Sequence, residues 1–434
     1  MTPAAVAMLM FGTLFAGLVI RLPVSFALAI ACVPPLVLDP RLDLTLMMST
    51  MFTAFNSFLL LAVPFFLLAA NLMNSGGITE RMFNWTRSMV GHLPGSLGQI
   101  NVVLSFLFAG VSGSSTADAA SQSKIFVLAQ VKEGYDMSFS IAITAVSSIL
   151  ACIIPPSITM IVWGGVFNTS INQMYMAGVL PGILLAGTQM TIVYIYAKLR
   201  HYPTYQRATF RQFLRATLIA LPAMVTPGII VGGKLLGWFT ATESGAMAVL
   251  YAMFLSCLIY REVGLKKLGR VLYDSGSFSA ISLFCLGTAS VFGWLLAYYR
   301  IPQALVGFIA SYEFGSVGTG LVVAGIFLIV GCFLDAIPAI VIVGTVLQPM
   351  VAHAGIDPVH FGIIGIVSLA FGLITPPYGL CLLIACAAVN VKVTAVLKDI
   401  GIMLMPLLCV LLLIVLLPDV FLFLPRLVSE SGIR

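Results

Sequence analysis

The sequence predicts an all-α polytopic membrane protein built from two inverted-topology repeats, each with a re-entrant helical hairpin and a helix broken at two prolines. Composition gives the first evidence, because the 434 residues are 60% hydrophobic and 8% charged, with a mean hydropathy of +1.11. Such values are typical of chains with many membrane spans. Residues 137–197 also contain no Asp, Glu, Lys or Arg, which leaves room for two or more spans of about 20 residues. An internal duplication is the third observation.

The duplication pairs residues 134–156 with residues 355–377 at a constant offset of 221 positions. Its strongest matches are Gly134 with Gly355, Asp136 with Asp357, and the proline pair 155-156 with the pair 376-377. In each copy a charge-free apolar run ends at two prolines. Helices interrupted at corresponding positions of two halves are the best indication in a sequence of a transporter's binding site.

The spans between the two copies determine their relative orientation. After a retained N-terminal span at 4–20, we expect a broken span ending near 169 and spans near 175–197, 216–238, 240–260 and 275–299. Five crossings separate the copies, so the copies have opposite orientations in the membrane. Inverted repeats of this kind place substrate and ion sites near the bilayer midplane.

Basic residues are distributed unevenly over the predicted loops. Sixteen of the 21 Lys and Arg residues fall on one side, including the clusters at 198–215 and 261–270. Since cytoplasmic loops are enriched in Lys and Arg, this side is predicted to be cytoplasmic and both termini periplasmic. The net charge of +6 therefore reflects membrane orientation, and no nucleic-acid partner is expected.

Each copy is preceded by two apolar arms that are too short for two ordinary spans, at 98–131 and 317–352. Small and polar residues interrupt the arms at 110–118 and 331–338. We expect re-entrant hairpins, the first entering from the cytoplasm and the second from outside. Amphipathic stretches at 78–92 and 301–311 are expected to lie on the membrane surface.

Proline lacks the N–H that bonds the carbonyl four residues earlier in a helix. The two proline pairs should therefore free the carbonyl groups of Ala151, Cys152, Gly372 and Leu373. Together with the hydroxyl groups of Ser112, Ser114, Ser157 and Thr375, these oxygens would suit a hard cation, and sodium is the usual coupling ion. An ordinary proline kink repaired by neighbouring groups is the alternative.

The hairpin tips carry small polar residues and acids, namely Ser115, Thr116 and Asp118 in the first and Asp335 in the second. Helix N-termini favour anions, and intramembrane acids are functional candidates, but Asp118 and Asp335 could equally be N-caps. Glu243 is a third acid, near the start of a span. The four histidines are expected in loops or at interfaces, and the eight scattered cysteines as buried apolar residues.

Motifs for several other protein classes are missing. The sequence has no G-x-x-x-x-G-K-[ST], H-E-x-x-H or G-x-S-x-G motif, so nucleotide hydrolysis and the corresponding hydrolase chemistries are not indicated. We therefore do not expect an enzyme or an organic cofactor. A membrane channel, or a secondary transporter that works without a binding protein, is the alternative function.

Six segments, taken in order, resemble the large membrane subunit of tripartite ATP-independent periplasmic (TRAP) transporters. They are residues 61–69, 73–81, 109–114, 242–243, 331–336 and 374–377. The resemblance implies an elevator transporter of a bacterial inner membrane, coupled to sodium ions and taking up an organic acid such as a C4-dicarboxylate or sialic acid. It also implies two partners, a small four-span membrane subunit and a periplasmic substrate-binding protein. No fused small-subunit segment precedes residue 1, so a separate polypeptide is expected.

The resemblance places sodium where each hairpin tip meets a proline break. The sodium candidates are Ser112, Ser114, Ala151, Cys152, Pro155, Ser157, Gly331, Asp335, Gly372, Leu373, Thr375 and Pro377. The substrate candidates are Ser115, Thr116, Asp118 and Ala336. The sequence departs from the expected pattern at Ser115-Thr116 and at Pro338.

The expected organisation follows from the repeats and the resemblance together. It comprises N-terminal scaffold spans (1–75), an amphipathic surface helix (76–92), a first transport half (93–172; hairpin 98–131, broken helix 138–169), scaffold spans with cytoplasmic arms (173–275), a span and surface helix (276–311), a second transport half (312–392; hairpin 317–352, broken helix 358–390) and a C-terminal span (393–434).

Overall fold

The computed structural model describes residues 3–20, 22–235, 238–302, 315–376 and 379–430, whose regular structure is entirely helical. Six helical segments in these ranges are long and apolar enough to cross a membrane, and two bent helix pairs raise the number to eight. The segments are Ile171–Arg200, Phe210–Ile230, Ala241–Ile259, Leu265–Tyr298, Ala336–His353 and Leu397–Leu416. The chain therefore forms a multi-pass membrane protein.

The N-terminal part contains five helices. They are α1 (Pro3–Val19), α2 (Val24–Leu38), α3 (Thr45–Phe55), α4 (Ala62–Ser75) and α5 (Ile78–Val90). The chain bends by 72° between α4 and α5, where Gly77 has a left-handed backbone. Glu262 lies so close to Gly77 that a Cβ there would be 2.0 Å from its carboxylate. This bend lies within the expected surface-helix region, and it needs glycine.

The first half follows with seven helices. They are α6 (Ser96–Ser112), α7 (Ser115–Gln122), α8 (Leu128–Lys132), α9 (Met137–Ser148), α10 (Leu150–Ile153), α11 (Ile158–Phe167) and α12 (Ile171–Arg200). The segment predicted as a hairpin is thus helical from Ser96 to Lys132, with one interruption at Gly113-Ser114 and a π-helical turn at Ser123–Val127. The chain bends by 40° at the break between α10 and α11.

Three long helices connect the two halves. They are α13 (Phe210–Leu235), α14 (Ala241–Met253, continued by a π-helical turn, Phe254–Ile259) and α15 (Leu265–Tyr298). Only a small part of the α13 span is buried within the chain. Its apolar surface is therefore available to lipid or to another protein.

The second half has the same succession of elements. It contains α16 (Ser316–Gly331), α17 (Ala336–Ala339), a π-helical turn (Ile340–Gly344), α18 (Thr345–His353), α19 (Pro358–Gly372) and α20 (Leu380–Ala388), and α21 (Leu397–Leu416) and α22 (Pro418–Glu430) follow it. The second arm, Ala336–His353, is long enough to cross a membrane, but α16 is a shorter apolar helix. Most of the surface helix expected at 301–311 lies outside the described residues.

The described helices pack into two groups. Helices α1–α4 and α13–α15 contact mainly one another, whereas α6–α12 and α16–α22 contact mainly one another as a second group, and α5 touches both groups. Helix α12 packs against α6, α19, α21 and α22. Because α12 is apolar on several faces, its sequence does not indicate which neighbours it contacts, and the assignment of 173–275 to one scaffold segment stays a prediction.

An ionic network fixes one end of α12 to this second group. Arg200 bridges Asp136, at 2.6 Å, and Asp399, at 3.1 Å. The hydroxyl groups of Tyr202 and Tyr196 donate hydrogen bonds to the same two carboxylates. The hydrogen bond from Tyr202, followed by Arg200, lowers the pKa of Asp136 below its ordinary value. The network therefore joins the starts of α9 and α21 to the end of α12.

Candidate functional site

The first hairpin meets the first broken helix where both are interrupted. Helix α6 ends at Ser112, Gly113 adopts a left-handed backbone with φ of 59°, and Ser114 caps α7 by accepting a backbone hydrogen bond. The Ile158 N–H donates to the Gly113 carbonyl at 3.2 Å. A Cβ on Gly113 would lie 2.7 Å from the Pro156 carbonyl oxygen. Only glycine therefore allows the tip to approach the break this closely.

The second hairpin meets the second broken helix through an equivalent contact. The Gly379 N–H donates to the Cys332 carbonyl at 3.3 Å, and Asp335 caps α17 by accepting a backbone hydrogen bond at 2.8 Å. Gly379 lies 221 positions after Ile158, and Asp335 lies 221 positions after Ser114. The offset found in the sequence thus also relates the N-caps and the hydrogen-bond donors of the two junctions.

The carbonyl groups released by the first proline pair are not all unpaired, which corrects one expectation. The Cys152 carbonyl accepts hydrogen bonds from the Ser157 hydroxyl at 2.6 Å and from the Thr159 hydroxyl at 2.9 Å. Both lone pairs of this oxygen are therefore occupied. The side chains after the break replace the backbone donors that proline removes.

The carbonyl groups at the second break are also hydrogen-bonded, here to backbone N–H groups, so the same expectation is corrected. The Gly372 carbonyl accepts a hydrogen bond from the Thr375 N–H at 3.0 Å, and the Leu373 carbonyl accepts one from the Cys381 N–H at 2.9 Å. A carbonyl oxygen has two lone pairs, so each can accept a further ligand. The Thr375 hydroxyl donates to the Phe371 carbonyl at 2.7 Å.

A small cavity of about 40 Å³ lies where the two junctions meet. The hairpins and broken helices contribute Gly113, Ser114, Ser115, Thr116, Cys152, Ile158, Thr159, Asp335, Ala336, Ile337 and Leu373 to its wall. Helices α4 and α15 contribute Val63, Leu67, Phe278 and Ser282. One water molecule needs about 10–15 Å³ by this measure. The cavity can therefore hold an ion with a few waters, and it must widen to admit an organic solute.

The predicted site residues fall into two sets. Seven of them line this cavity: Ser114, Ser115, Thr116, Cys152, Asp335, Ala336 and Leu373. Eight others are not among the residues that line the cavity: Ser112, Asp118, Ala151, Pro155, Ser157, Gly331, Gly372 and Thr375. Pro377 lies outside the described residues. The sequence therefore identified the segments that meet, but it did not determine which of their residues face the cavity.

Ser112 and Asp118 are buried, with 1% and 2% of their surfaces exposed. The Ser112 hydroxyl lies next to the Asp118 carboxylate and interacts with it, and one Asp118 carboxylate oxygen has no other hydrogen-bond partner within the described ranges. The N-cap of α7 is Ser114, so the prediction that Asp118 could be this cap is wrong. Asp118 lies one turn further along, with an oxygen still able to accept a ligand.

The other two acids both act as caps. Asp335 is the N-cap of α17 and also lines the cavity, so a cap and an ion ligand remain compatible roles for it. Glu243 is exposed and forms a capping box with Thr240 at the start of α14. Its position is explained by helix capping alone.

Gly331 and Gly372 have a packing role. A Cβ on Gly372 would lie 2.5 Å from the Gly331 backbone, and a Cβ on Gly331 would lie 2.9 Å from the Leu369 carbonyl oxygen. The end of α16 thus crosses the end of α19 with backbone in contact. Both glycines are required for this crossing, whatever the cavity binds.

Several residues of the site were not indicated by the sequence pattern. Thr159 completes the hydrogen bonds of the Cys152 carbonyl, and Phe278 and Ser282 bring α15 to the cavity. The prediction that the histidines lie in loops or at interfaces is wrong for His360, which is buried in α19 and bonded through Nε2 to the Ile414 carbonyl at 2.8 Å. Isolated Thr, Phe and Ser residues in apolar runs give no signal of their depth or partner.

A buried polar network supports the first hairpin from behind. Asn101 donates to Thr144 at 2.7 Å, and the Ser105 hydroxyl lies 2.7 Å from the Gln122 side-chain oxygen and 2.9 Å from the Ser147 hydroxyl. These contacts tie both hairpin arms to α9. Buried networks of this kind rigidify the elements that they join.

A multi-pass helical chain in which two hairpin tips and two helix breaks meet at one cavity has the architecture typical of a membrane permease. A profile of the family described as "Tripartite ATP-independent periplasmic transporter, DctM component" matches residues 11–421. The chain belongs to this family, the TRAP transporter large permeases of bacterial inner membranes.

Curated relatives are similar along nearly the whole chain. The protein YgiK of Salmonella typhimurium is 37% identical over 97% of this chain and 98% of its own length. The sialic acid TRAP transporter large permease SiaM of Vibrio cholerae is 34% identical over 97% and 98%. The C4-dicarboxylate TRAP transporter large permease DctM of Pseudomonas aeruginosa is 34% identical over 88% and 89%.

A solved structure has the same fold at low sequence identity. The crystal structure of the YdaH transporter of Alcanivorax borkumensis superposes with a TM-score of 0.57. It covers 88% of this chain and 90% of its own, at 14% identity. At this level of identity, the similarity establishes a shared fold.

Proposed function

We propose that this chain is the permease of a sodium-coupled secondary transporter that takes up an organic acid delivered by a periplasmic binding protein. The observation that carries the proposal is the shared cavity. Both tips and both breaks line it, while α4 and α15 close it from the other group of helices. A solute held there would contact both groups at once.

Sodium is proposed from the oxygen atoms around the two junctions. The Ser112 hydroxyl and the Asp118 carboxylate are buried next to each other, one Asp118 oxygen has no other hydrogen bond among the described residues, and the Gly372 and Leu373 carbonyls each accept one described hydrogen bond. Hard cations prefer carboxylate, carbonyl and hydroxyl oxygen. One ion is proposed beside each junction, with Asp335 facing the cavity between them.

The elevator mechanism is proposed from the two groups of helices. The hairpins, the broken helices, α12, α21 and α22 would form the mobile transport body, and α1–α4 with α13–α15 would form the scaffold. Two repeats inserted in opposite orientations would give the body similar gates toward both sides. Alternating access is commonly a rigid-body movement of one such unit around a fixed site.

An organic acid is proposed as the solute because relatives are named as permeases for sialic acid and C4-dicarboxylates. Among the described residues, those that line the cavity include no Lys, Arg or His. A carboxylate would therefore be held by hydroxyl groups, helix N-termini and bound sodium. The binding protein would select the solute, and a separate small membrane subunit would enlarge the scaffold.

The proposed orientation has both termini in the periplasm. The basic clusters at 198–215 and 261–270 would then be cytoplasmic, as the distribution of Lys and Arg in membrane proteins requires.

Reconstitution tests this function directly. Proteoliposomes holding this permease and its small subunit should accumulate labelled organic acid only with an inward sodium gradient and the loaded binding protein outside. The binding protein encoded beside the permease supplies the solute to be labelled. Equal uptake driven by a proton gradient without sodium would contradict the coupling, and conductance without added binding protein would favour a channel.

A further inference from the structure

A second cavity, of about 530 Å³, opens between α5, the start of α13 and the segment that joins α12 to α13. Arg87 and Arg207 are among its lining residues, with polar groups from Asn84, Ser88, Gln206 and Gln212, and none of the described residues that line it is acidic. Its volume falls in the range of small-molecule sites, about 300–1,000 Å³. The function proposed above does not use it.

The two arginines differ in how their side chains are placed. Neither forms a salt bridge within the described residues. The Arg87 guanidinium lies over the Tyr205 ring, 4.3 Å from its centroid, and Tyr205 is fixed by a hydrogen bond from its N–H to the Gly91 carbonyl. Thr209 and Gln212 exchange hydrogen bonds that cap α13 beside Arg207. Tyr205 thus positions the Arg87 guanidinium, whereas Arg207 is exposed. Guanidinium groups suit bidentate binding of phosphate.

The cavity lies at the membrane boundary. The membrane-crossing part of α13 begins at Phe210, directly after the lining segment. Phe210, Leu214 and Leu218 expose 79%, 47% and 62% of their surfaces. These three residues lie on the face of α13 opposite Gln212 and Ala216 of the cavity, whereas Ile219, on the cavity side, exposes 48% of its surface. Acyl chains of a lipid bound in the cavity would lie against α13 from Ile219 onward.

We propose that this cavity binds the phosphate of an anionic phospholipid headgroup, with Arg87 and Arg207 as its cationic ligands and the acyl chains along α13. Basic pockets between membrane helices are known sites for such headgroups. The cavity connects α5 and α13 to the segment leading from α12, so a bound lipid would join the two groups of helices. This proposal does not depend on sodium coupling or on the identity of the solute.

The test compares lipid binding by variants of matched charge. The purified full-length permease, with its small subunit, is delipidated and titrated with phosphatidylglycerol or phosphatidylcholine, and bound lipid is counted by native mass spectrometry. Arg87→Gln with Arg207→Gln should weaken phosphatidylglycerol binding roughly thirtyfold. The control pair, Lys266→Gln with Arg270→Gln, removes the same charge from exposed residues at the start of α15 and should bind normally.

Two further measurements distinguish lipid binding at this cavity from misfolding of the variant and from binding of a free anion. Arg207→Gln alone spares the Arg87–Tyr205 contact and should still weaken binding, which separates ligand loss from misfolding. Unchanged phosphatidylglycerol affinity in the folded double variant would overturn the proposal. So would inorganic phosphate that competes at the same concentration as the lipid, because the site would then bind a free anion.

Discussion

Within the part of the chain that the structure describes, Asp335 is the only charged residue that lines the central cavity. A carboxylate in such surroundings is costly unless a cation or several donors accompany it. One backbone N–H, from Ala336, donates to it at 2.8 Å. The remaining lone pairs of the carboxylate are available to an ion. Bound sodium would therefore stabilise the negative charge of Asp335.

Replacing Asp335 by Asn separates its two roles. Asparagine keeps a side-chain oxygen for the cap but removes the charge, so the sodium concentration for half-maximal uptake should rise at least about tenfold. Asp357→Asn is the matched control, because Asp357 caps α19 outside the cavity. Sodium dependence that is normal in both variants would leave Asp335 as a cap alone.

At this scale the sequence indicates which residues are unusual but not what they contact. Proline pairs, intramembrane acids and their repetition are visible without coordinates, and these led to Ser114, Asp335 and the breaks. The hydrogen bonds from Ser157 and Thr159 to the Cys152 carbonyl depend on how the chain turns after the prolines. The partner of Gly372 lies in another helix, so its packing role could not be inferred from the neighbouring residues.

At the scale of elements, close backbone contacts hold the broken helices in place. Gly372 packs on Gly331 at the second break. At the first break, Gly178 of α12 is so near the Ile153 carbonyl that a Cβ would lie 2.3 Å from its oxygen. The two contacts let a neighbouring helix approach a segment whose backbone ladder is interrupted. Close packing against the neighbouring helix then stabilises the broken segment in place of the missing helical hydrogen bonds.

Gly372→Ala should therefore destabilise the permease by about 1–3 kcal/mol through overpacking, since the added methyl meets backbone rather than a flexible side chain. Thermal unfolding in detergent, followed by intrinsic fluorescence, measures the change. Gly401→Ala in α21 is the control, because nothing lies within 4 Å of its added Cβ, and alanine favours a helix. If the two variants unfold at the same temperature, the crossing of α16 and α19 is not tightly packed.

The contacts of a helix are hardest to predict from the sequence where its composition is uniform. The long spans have apolar lengths that match the bilayer, and the offset of 221 located the second broken helix from the first. The neighbours of α12 could not be predicted, because an apolar helix between two apolar groups shows no polar face. Its contacts with α6, α19, α21 and α22 come from tertiary packing.

At the scale of the whole molecule, the boundary between the two groups of helices is loosely filled. A cavity of about 550 Å³ lies along it, between α3, α15, α11 and the second arm of the second hairpin. Its wall includes Gly293 of α15 and Thr345 at the start of α18. Open space at a boundary between two internally packed groups is what a sliding movement requires.

A covalent link across this boundary tests the movement. An ideal Cβ on Gly293 would lie 3.6 Å from the Thr345 hydroxyl oxygen, so Gly293→Cys with Thr345→Cys places two thiols within disulfide reach. In a background without the native eight cysteines, oxidation should abolish uptake, and reduction should restore it. Stabilisation of the protein by sodium should persist, because the link blocks translocation and leaves the ion sites assembled.

The matched control links two helices of the same group. Gly320 of α16 packs on Val415 of α21, with an ideal Cβ 2.9 Å from the Val415 Cγ1, so Gly320→Cys with Val415→Cys should crosslink without loss of uptake. The elevator proposal requires the first link, and not the second, to stop transport. If both proteins are fully crosslinked and both still transport, the two groups do not slide past each other at α15. A gate that opens within a fixed framework would then replace the elevator.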